Sequence, residues 1–211
     1  MRQRTIKNID EKLELNSSFL IREPKTCKGR WAEVFGNKNP IYLEIGCGKG
    51  QFIFKHAEAS PEKNFIAVEG QNNVVLRALE KAEEKGQENL RIFIDFVNDL
   101  HDYFEEGELA GLYLNFSDPW PKARHAKRRL TYHKRLLNYR EVLKDDGVIE
   151  FKTDNDNLFD FTLEEIEEAK LQVLEVTRDL HSSEYDSKNM TTEYEDKFSN
   201  AGKNINYVKF K

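Results

Sequence analysis

Residues 41–57 constrain the fold more than any other stretch. A short apolar run, Ile41-Tyr-Leu-Glu-Ile45, meets three glycines in five residues, Gly46-Cys-Gly-Lys-Gly50, and gives way to Phe52, Ile53, His56 and Ala57 at helical spacing. Strand, glycine turn and helix in that order open a parallel β/α unit. The pattern then repeats. Asn64 to Glu69 reads as a strand, and Val75, Leu79 and Ala82 share one face of a helix that stops near Gly86. Leu90 to Ile94 and Leu112 to Phe116 read as two more strands. Leu136 to Leu143 reads as a helix, and Gly147 to Phe151 as a strand after the turn Lys144-Asp-Asp-Gly. Phe159, Leu163 and Ile166 mark the next helix, and residues 172–177 and 206–210 supply two further strands. Alternation of this kind specifies an α/β fold, a doubly wound and mostly parallel sheet with helices on both faces. Its ligands bind beyond the carboxyl ends of the strands.

The glycine turn narrows the ligand. Gly46, Gly48 and Gly50 fit G-x-G-x-G, whereas the dinucleotide fingerprint needs a glycine where Gln51 stands, which disfavours a nicotinamide dehydrogenase. Glu44 places a carboxylate beside the turn and suits a cationic ligand better than a pyrophosphate. Glu69, nineteen residues past Gly50, ends the second strand, where an acid accepts hydrogen bonds from both ribose hydroxyls. Each such charge-assisted bond contributes about 1.5–3 kcal/mol. An adenosine-containing ligand with a positive centre has this description, and S-adenosylmethionine is one. Asp95, at the end of the third strand, is the next acid expected near the adenine.

The 211 residues suit one sizeable domain, with 1–30 as a basic, flexible arm carrying eight Lys/Arg against four Asp/Glu and 31–211 as the folded body. No apolar run approaches the ~18 residues of a membrane span, and no apolar segment follows the basic Met1-Arg-Gln-Arg start. A cytoplasmic location is expected. Cys27 and Cys47 form no Cys-x-x-Cys, and His125 and His133 stand eight apart, so no metal site is expected.

The fourth strand leads into Phe116-Ser-Asp118-Pro-Trp120-Pro-Lys122, where two prolines keep the backbone out of a helix. Asp118 suits contact with a base edge or an amine. Trp120 either stacks on a planar ring or fills core space, and a lone Trp favours the core. Residues 122–135 then hold seven Lys/Arg and no acid. Setting those seven charges aside takes the formal net charge of −5 to −12 for the remainder, so a near-neutral total hides a dipole. Cations this crowded call for an anionic partner such as phosphate. The acidic run 154–168, with seven acids and no base, reads as a distant, solvated helix face, with pairing to the basic cluster as the alternative.

Several segments together resemble the bacterial tRNA (guanine-N7)-methyltransferases. They are Leu43-Glu-Ile-Gly-Cys-Gly-Lys-Gly50, Tyr113-Leu-Asn-Phe-Ser-Asp-Pro-Trp-Pro-Lys122, Arg124-His125, Lys127-Arg-Arg129, Phe151-Lys-Thr-Asp154 and Thr192-Glu-Tyr-Glu195 before Lys197-Phe198. The resemblance runs from about residue 30 to the C-terminus. It implies a Rossmann-like class I methyltransferase fold and transfer of a methyl group from S-adenosylmethionine to N7 of a guanosine in the tRNA variable loop; the sequence leaves monomer and homodimer both open. By position, Glu44, Gly46, Gly48, Gly50, Glu69, Asp95 and Asp118 would meet the cofactor, with Asp118 also catalytic. Lys122, Asp154, Thr192, Glu193, Tyr194 and Glu195 would meet the substrate, and Arg124, Lys127, Arg128 and Arg129 would hold tRNA phosphates. The chain departs from the family at two places. The spacing of Ile94-Asp-Phe-Val-Asn-Asp-Leu100 puts either Asp95 or Phe96 at the adenine-side position, with Asp95 preferred. Gly70 replaces the more usual apolar residue after Glu69. Two rivals stand beside this expectation: an RNA amino-group methyltransferase, for which an acid, proline and aromatic at this strand end also serve, and a non-catalytic RNA-binding module.

Overall fold

A computed structural model describes residues 6–199 and 202–211. Among the described residues seven strands form one sheet in the order β3-β2-β1-β4-β5-β7-β6. They are β1 (Ile41–Ile45), β2 (Asn64–Glu69), β3 (Leu90–Ile94), β4 (Leu109–Asn115), β5 (Leu143–Thr153), β6 (Val173–Thr177) and β7 (Asn206–Phe210). Only β7 runs against its neighbours.

Side chains alternate between the faces of a strand, so a sheet buried on both sides needs apolar residues at odd and even positions alike. Leu43, Ile66, Phe93 and Leu112 belong to one core; their immediate neighbours Tyr42, Phe65, Ile92 and Tyr113 belong to the other. Helices α2 (Trp31–Phe35), α5 (His133–Val142) and α6 (Asp156–Glu168) cover the first face. Helices α1 (Ile9–Leu15), α3 (Gln51–Ala59) and α4 (Asn72–Lys85) cover the second. The last helix is α7 (Glu193–Ser199).

Three elements differ from the sequence pattern. Residues 6–30 of the expected arm lie on the body instead of apart from it. Leu13 of α1 joins the second core, and Phe19 to Ile21 run beside edge strand β3: Ile92 N donates to Phe19 O and Ile21 N donates to Ile92 O, both at 2.8 Å. An edge strand offers unpaired backbone groups, and this segment satisfies those of Ile92. Charge counting missed the apolar residues that tether it; residues 1–5 lie outside the described region. β4 stops at Asn115, not Phe116, because Phe116 adopts φ 50° and breaks the ladder. The turn expected at 144–147 sits inside β5 as an irregularity, since Leu109 pairs with Leu143 while Gly111 pairs with Val148.

Candidate active site: a carboxylate-lined cleft and its basic rim

The carboxyl ends of β1, β2 and β4 open on a cleft made of two cavities, of about 360 Å³ and 490 Å³, that share Gly46, Asn115 and Phe116 as a wall. Either volume is in the range of small-molecule sites. The glycine turn forms the floor between them. Gly46 and Gly48 have φ of 81° and 59°, a region that favours glycine, and a Cβ on either would meet no atom within 4 Å. Open space over bare backbone lets a ligand lie against the turn.

Glu44 is 2% exposed. Its Oε1 accepts from Asn115 Nδ2 at 2.8 Å, and its buried Oε2 has no partner. Burial pushes this carboxyl up to about 7, against the pull of Asn115 and Lys152. An unsatisfied carboxylate oxygen in the wall of a cavity is costly unless a donor arrives, and a cationic ammonium is the donor that suits it. Glu69 accepts from Gly48 N at 3.1 Å and Gln71 N at 3.0 Å, which fixes its carboxylate at the mouth of the larger cavity. Burial raises its pKa, and those backbone donors oppose the rise. Residues of this kind fit S-adenosylmethionine, with its ammonium, its ribose hydroxyls and its sulfonium.

Asp118 is exposed and lines the same cavity as Glu69. Its loop is braced from below. Arg129 Nε donates to Pro119 O at 3.0 Å, Nη2 donates to Trp120 O at 3.1 Å, and the guanidinium lies 4.1 Å from the centroid of Phe161. Arg129 is therefore committed to the backbone beside Asp118, unlike the exposed phosphate contact expected of it. Trp120 corrects the core expectation: it is half-buried, lines the cavity and carries Arg128 5.0 Å over its ring. Lys122, Arg124, Lys127 and Arg128 are exposed, and among the described residues none has a carboxylate partner. Of the acids of 154–168, Asp154 pairs with Lys203 at 2.9 Å and Asp160 with Arg178, whereas Glu165 pairs with His133 of the basic run itself at 2.7 Å, so α6 packs beside that run instead of lying distant from it.

Asp95 lines the larger cavity, and each of its oxygens accepts one hydrogen bond from its own loop region. Oδ1 accepts from Phe96 N at 2.7 Å and Oδ2 from Tyr103 Oη at 2.6 Å. The Thr192-Glu-Tyr-Glu195 segment separates into two roles. Glu195 N donates to Thr192 Oγ1 at 2.9 Å and Thr192 N donates to Glu195 Oε2 at 3.3 Å, a reciprocal cap that starts α7. Glu195 is fully buried and pairs with Lys152 Nζ at 2.7 Å, unlike the substrate contact expected of it. Glu193 and Tyr194 line the smaller cavity, with Glu193 paired to Lys49 at 3.0 Å and Tyr194 4.9 Å from Phe116.

Lys152 was not singled out by its sequence context. Its ammonium donates to Asn189 Oδ1, Met190 O and Glu195 Oε2 at 2.7–3.0 Å, which uses all three protons. Burial lowers its pKa while Glu195 opposes the shift. The available signals were an apolar strand interrupted by one lysine and the T-x-x-E capping pattern.

Cleft, glycine turn and paired carboxylates define an S-adenosylmethionine-dependent methyltransferase. Solved structures agree on the fold: an antibiotic-related methyltransferase superposes with a TM-score of 0.64 at 15% identity, covering 86% of this chain and 92% of that one. A SAM-dependent methyltransferase from Aquifex aeolicus superposes at 0.55 with 14% identity over 97% of this chain and 98% of that one. Sequence relatives go further. Residues 38–208 match the family model described as putative methyltransferase. The tRNA (guanine-N(7)-)-methyltransferase of Streptococcus agalactiae is 45% identical over 205 residues, 97% of each chain. That of Brevibacillus brevis is 47% identical over 97% of this chain and 95% of its own. The chain belongs to the tRNA (guanine-N7)-methyltransferase family.

Proposed function

We propose that this chain methylates N7 of a guanosine in the tRNA variable loop, with the cleft holding S-adenosylmethionine and the Asp118 side receiving the base. The observation that carries this reading is the continuity of the cleft. One wall has Glu44 and Glu69, the other has Asp118, and the unpaired cations Lys122, Arg124, Lys127 and Arg128 begin where Asp118 ends.

Bound S-adenosylmethionine supplies an electrophilic methyl group on a positively charged sulfur. Glu44 Oε2 would accept from its ammonium, Glu69 from its ribose hydroxyls, and Gly46 and Gly48 would leave room for it beside the turn, whereas Gly50, buried against Phe54 and Ala78, shapes the turn without lining the cleft. Guanine N7 carries a free lone pair, so no residue has to remove a proton before attack. The protein's task is alignment, which in well-oriented reactions is worth about 7–11 kcal/mol. Asp118 holds the guanine edge and offsets the positive charge that moves onto the base. Asp154 is a weaker candidate for that charge because Lys203 already faces it. It serves with Lys122, Glu193 and Tyr194 in locating the nucleoside, and Thr192 and Glu195 act by fixing α7.

The test is incubation with labelled S-adenosylmethionine and unmodified tRNA, followed by strand cleavage selective for N7-methylguanosine. Label in tRNA with a single cleavage in the variable loop is expected. Label without cleavage would assign an amino-group methyltransferase, and no label with intact tRNA binding would assign a binding module.

A further inference from the structure

The ligand's path across the sheet is set by strand order. Glu44 is next to last in β1 and Glu69 ends β2, so a molecule held by its ammonium at the first and its ribose at the second points its base toward the end of β3, the next strand over. Glu69 pairs in register with Ile94, and adjacent strands lie about 4.8 Å apart, so residues 95–98 border the base.

Within that loop every residue but one is tied down. Asp95 is bonded to Tyr103 and to its own following amide. Val97 is buried in the first core, and its carbonyl accepts from Arg135 Nη1 at 3.2 Å. Asn98 Oδ1 accepts from Arg135 Nη2 at 3.2 Å. Phe96 alone is left out, 69% exposed and lining the larger cavity. Its ring occupies the place where a side chain at position 70 would stand: a Cβ on Gly70 would lie 2.3–2.6 Å from three ring carbons. Gly70 has no positive φ that calls for glycine, so the room it leaves for this ring is its evident use.

We infer that Phe96, seated on Gly70, is the stacking wall for the adenine ring of S-adenosylmethionine, and that Asp95 is a positioning residue that holds the loop through Tyr103. This rests on the cofactor reading of the cleft. A braced loop presenting one aromatic face costs little ordering when the base arrives, and aromatic stacking tolerates any purine face.

Calorimetric titration with S-adenosylhomocysteine tests it. Wild-type binding checks the cofactor reading itself, independently of Phe96. Phe96→Ala is expected to weaken binding about tenfold to a hundredfold with an unchanged Tm, and Phe96→Tyr to keep wild-type affinity. Gly70→Ala is expected to weaken binding about tenfold by displacing the ring, and Gly70→Ala with Phe96→Ala to be no weaker than Phe96→Ala alone. Asp95→Asn is expected to stay within about threefold. The inference is overturned if Phe96→Ala binds within twofold of wild type, if Asp95→Asn loses as much as Phe96→Ala, or if the two losses multiply in the double variant. A lowered Tm in Phe96→Ala without recovery in Phe96→Tyr would also overturn it, by making the ring a scaffold element.

Discussion

The two sides of the cleft are built on opposite principles. On the β1–β2 side the chemistry is buried: Glu44 is nearly inaccessible, Glu69 is fixed by backbone amides, and the turn between them is bare glycine. On the Asp118 side the chemistry is exposed, and four exposed cations have no carboxylate partner among the described residues. A small cationic ligand can repay desolvation of a carboxylate because it enters the cavity. A folded polyanion cannot enter, so its contacts remain at the surface, where charges act through screened attraction. Arg129 and Arg135 join the two sides: both come from the basic run, yet both hold loops of the cleft by their backbone.

The largest effect that would break this contrast is structural. Lys152→Ala leaves Glu195 charged and buried, and loss of one partner of such a pair costs about 3–5 kcal/mol. A large drop in Tm by calorimetry is expected; an unchanged Tm would mean that α7 is not held by this pair. Next is Asp118→Ala. A group that stabilises charge at the reacting centre is worth about 10²–10³ in rate. Turnover should fall by about that factor, while S-adenosylhomocysteine binding by calorimetry stays near wild type. Equal loss of both would place Asp118 on the cofactor side.

Glu44 gives a pH test of the buried side. Its carboxyl titrates near 7 in the folded chain against an ordinary value of 4.5. A raised folded pKa contributes stability that is present below about 4.5 and lost as pH rises through about 7. A cationic ligand favours the ionised form, so binding releases a proton in that window. Affinity for S-adenosylmethionine should therefore tighten up to about tenfold between pH 6 and 7.5, and Glu44→Gln should flatten the profile. A wild-type profile that is flat, or that slopes the other way, would show that Glu44 does not face the ammonium.

Legibility in the sequence followed the same division. The order of strands and helices was readable because both faces of the sheet are apolar, and the glycine turn with Glu44 and Glu69 was readable because these residues neighbour one another along the chain or across adjacent strand ends. What was not readable depends on pairings that neither strand nor helix periodicity sets. Tyr103 engages Asp95, Lys152 engages Glu195, and Arg129 folds back on Pro119 through a stack on Phe161. Each of the residues so engaged presents a plausible functional group, and only the fold shows that the group is already used. Phe96 is the converse case, the apolar alternative to the preferred Asp95 at the adenine side, exposed with its ring over Gly70.

The smallest expected effect gives the sharpest test of the contrast. Arg128 and Arg129 are neighbours of equal charge, so composition treats them alike. Arg128 is exposed over Trp120 and free to meet a phosphate, whereas the guanidinium of Arg129 is divided between two carbonyls and an aromatic face. If about four free cations meet phosphates, log affinity for tRNA should fall with log salt at a slope of about −3. Arg128→Ala should make that slope shallower by about 0.7–0.9 and weaken binding at low salt by a few-fold, leaving turnover of saturated enzyme near wild type. Arg129→Lys keeps the charge but loses the planar fork, so its slope should be unchanged while turnover falls about tenfold as Asp118 loses its fixed position. Salt titrations of tRNA binding alongside single-turnover rates separate the two. Equal changes in slope for both variants would return Arg129 to the phosphate surface and leave the Asp118 loop without its brace.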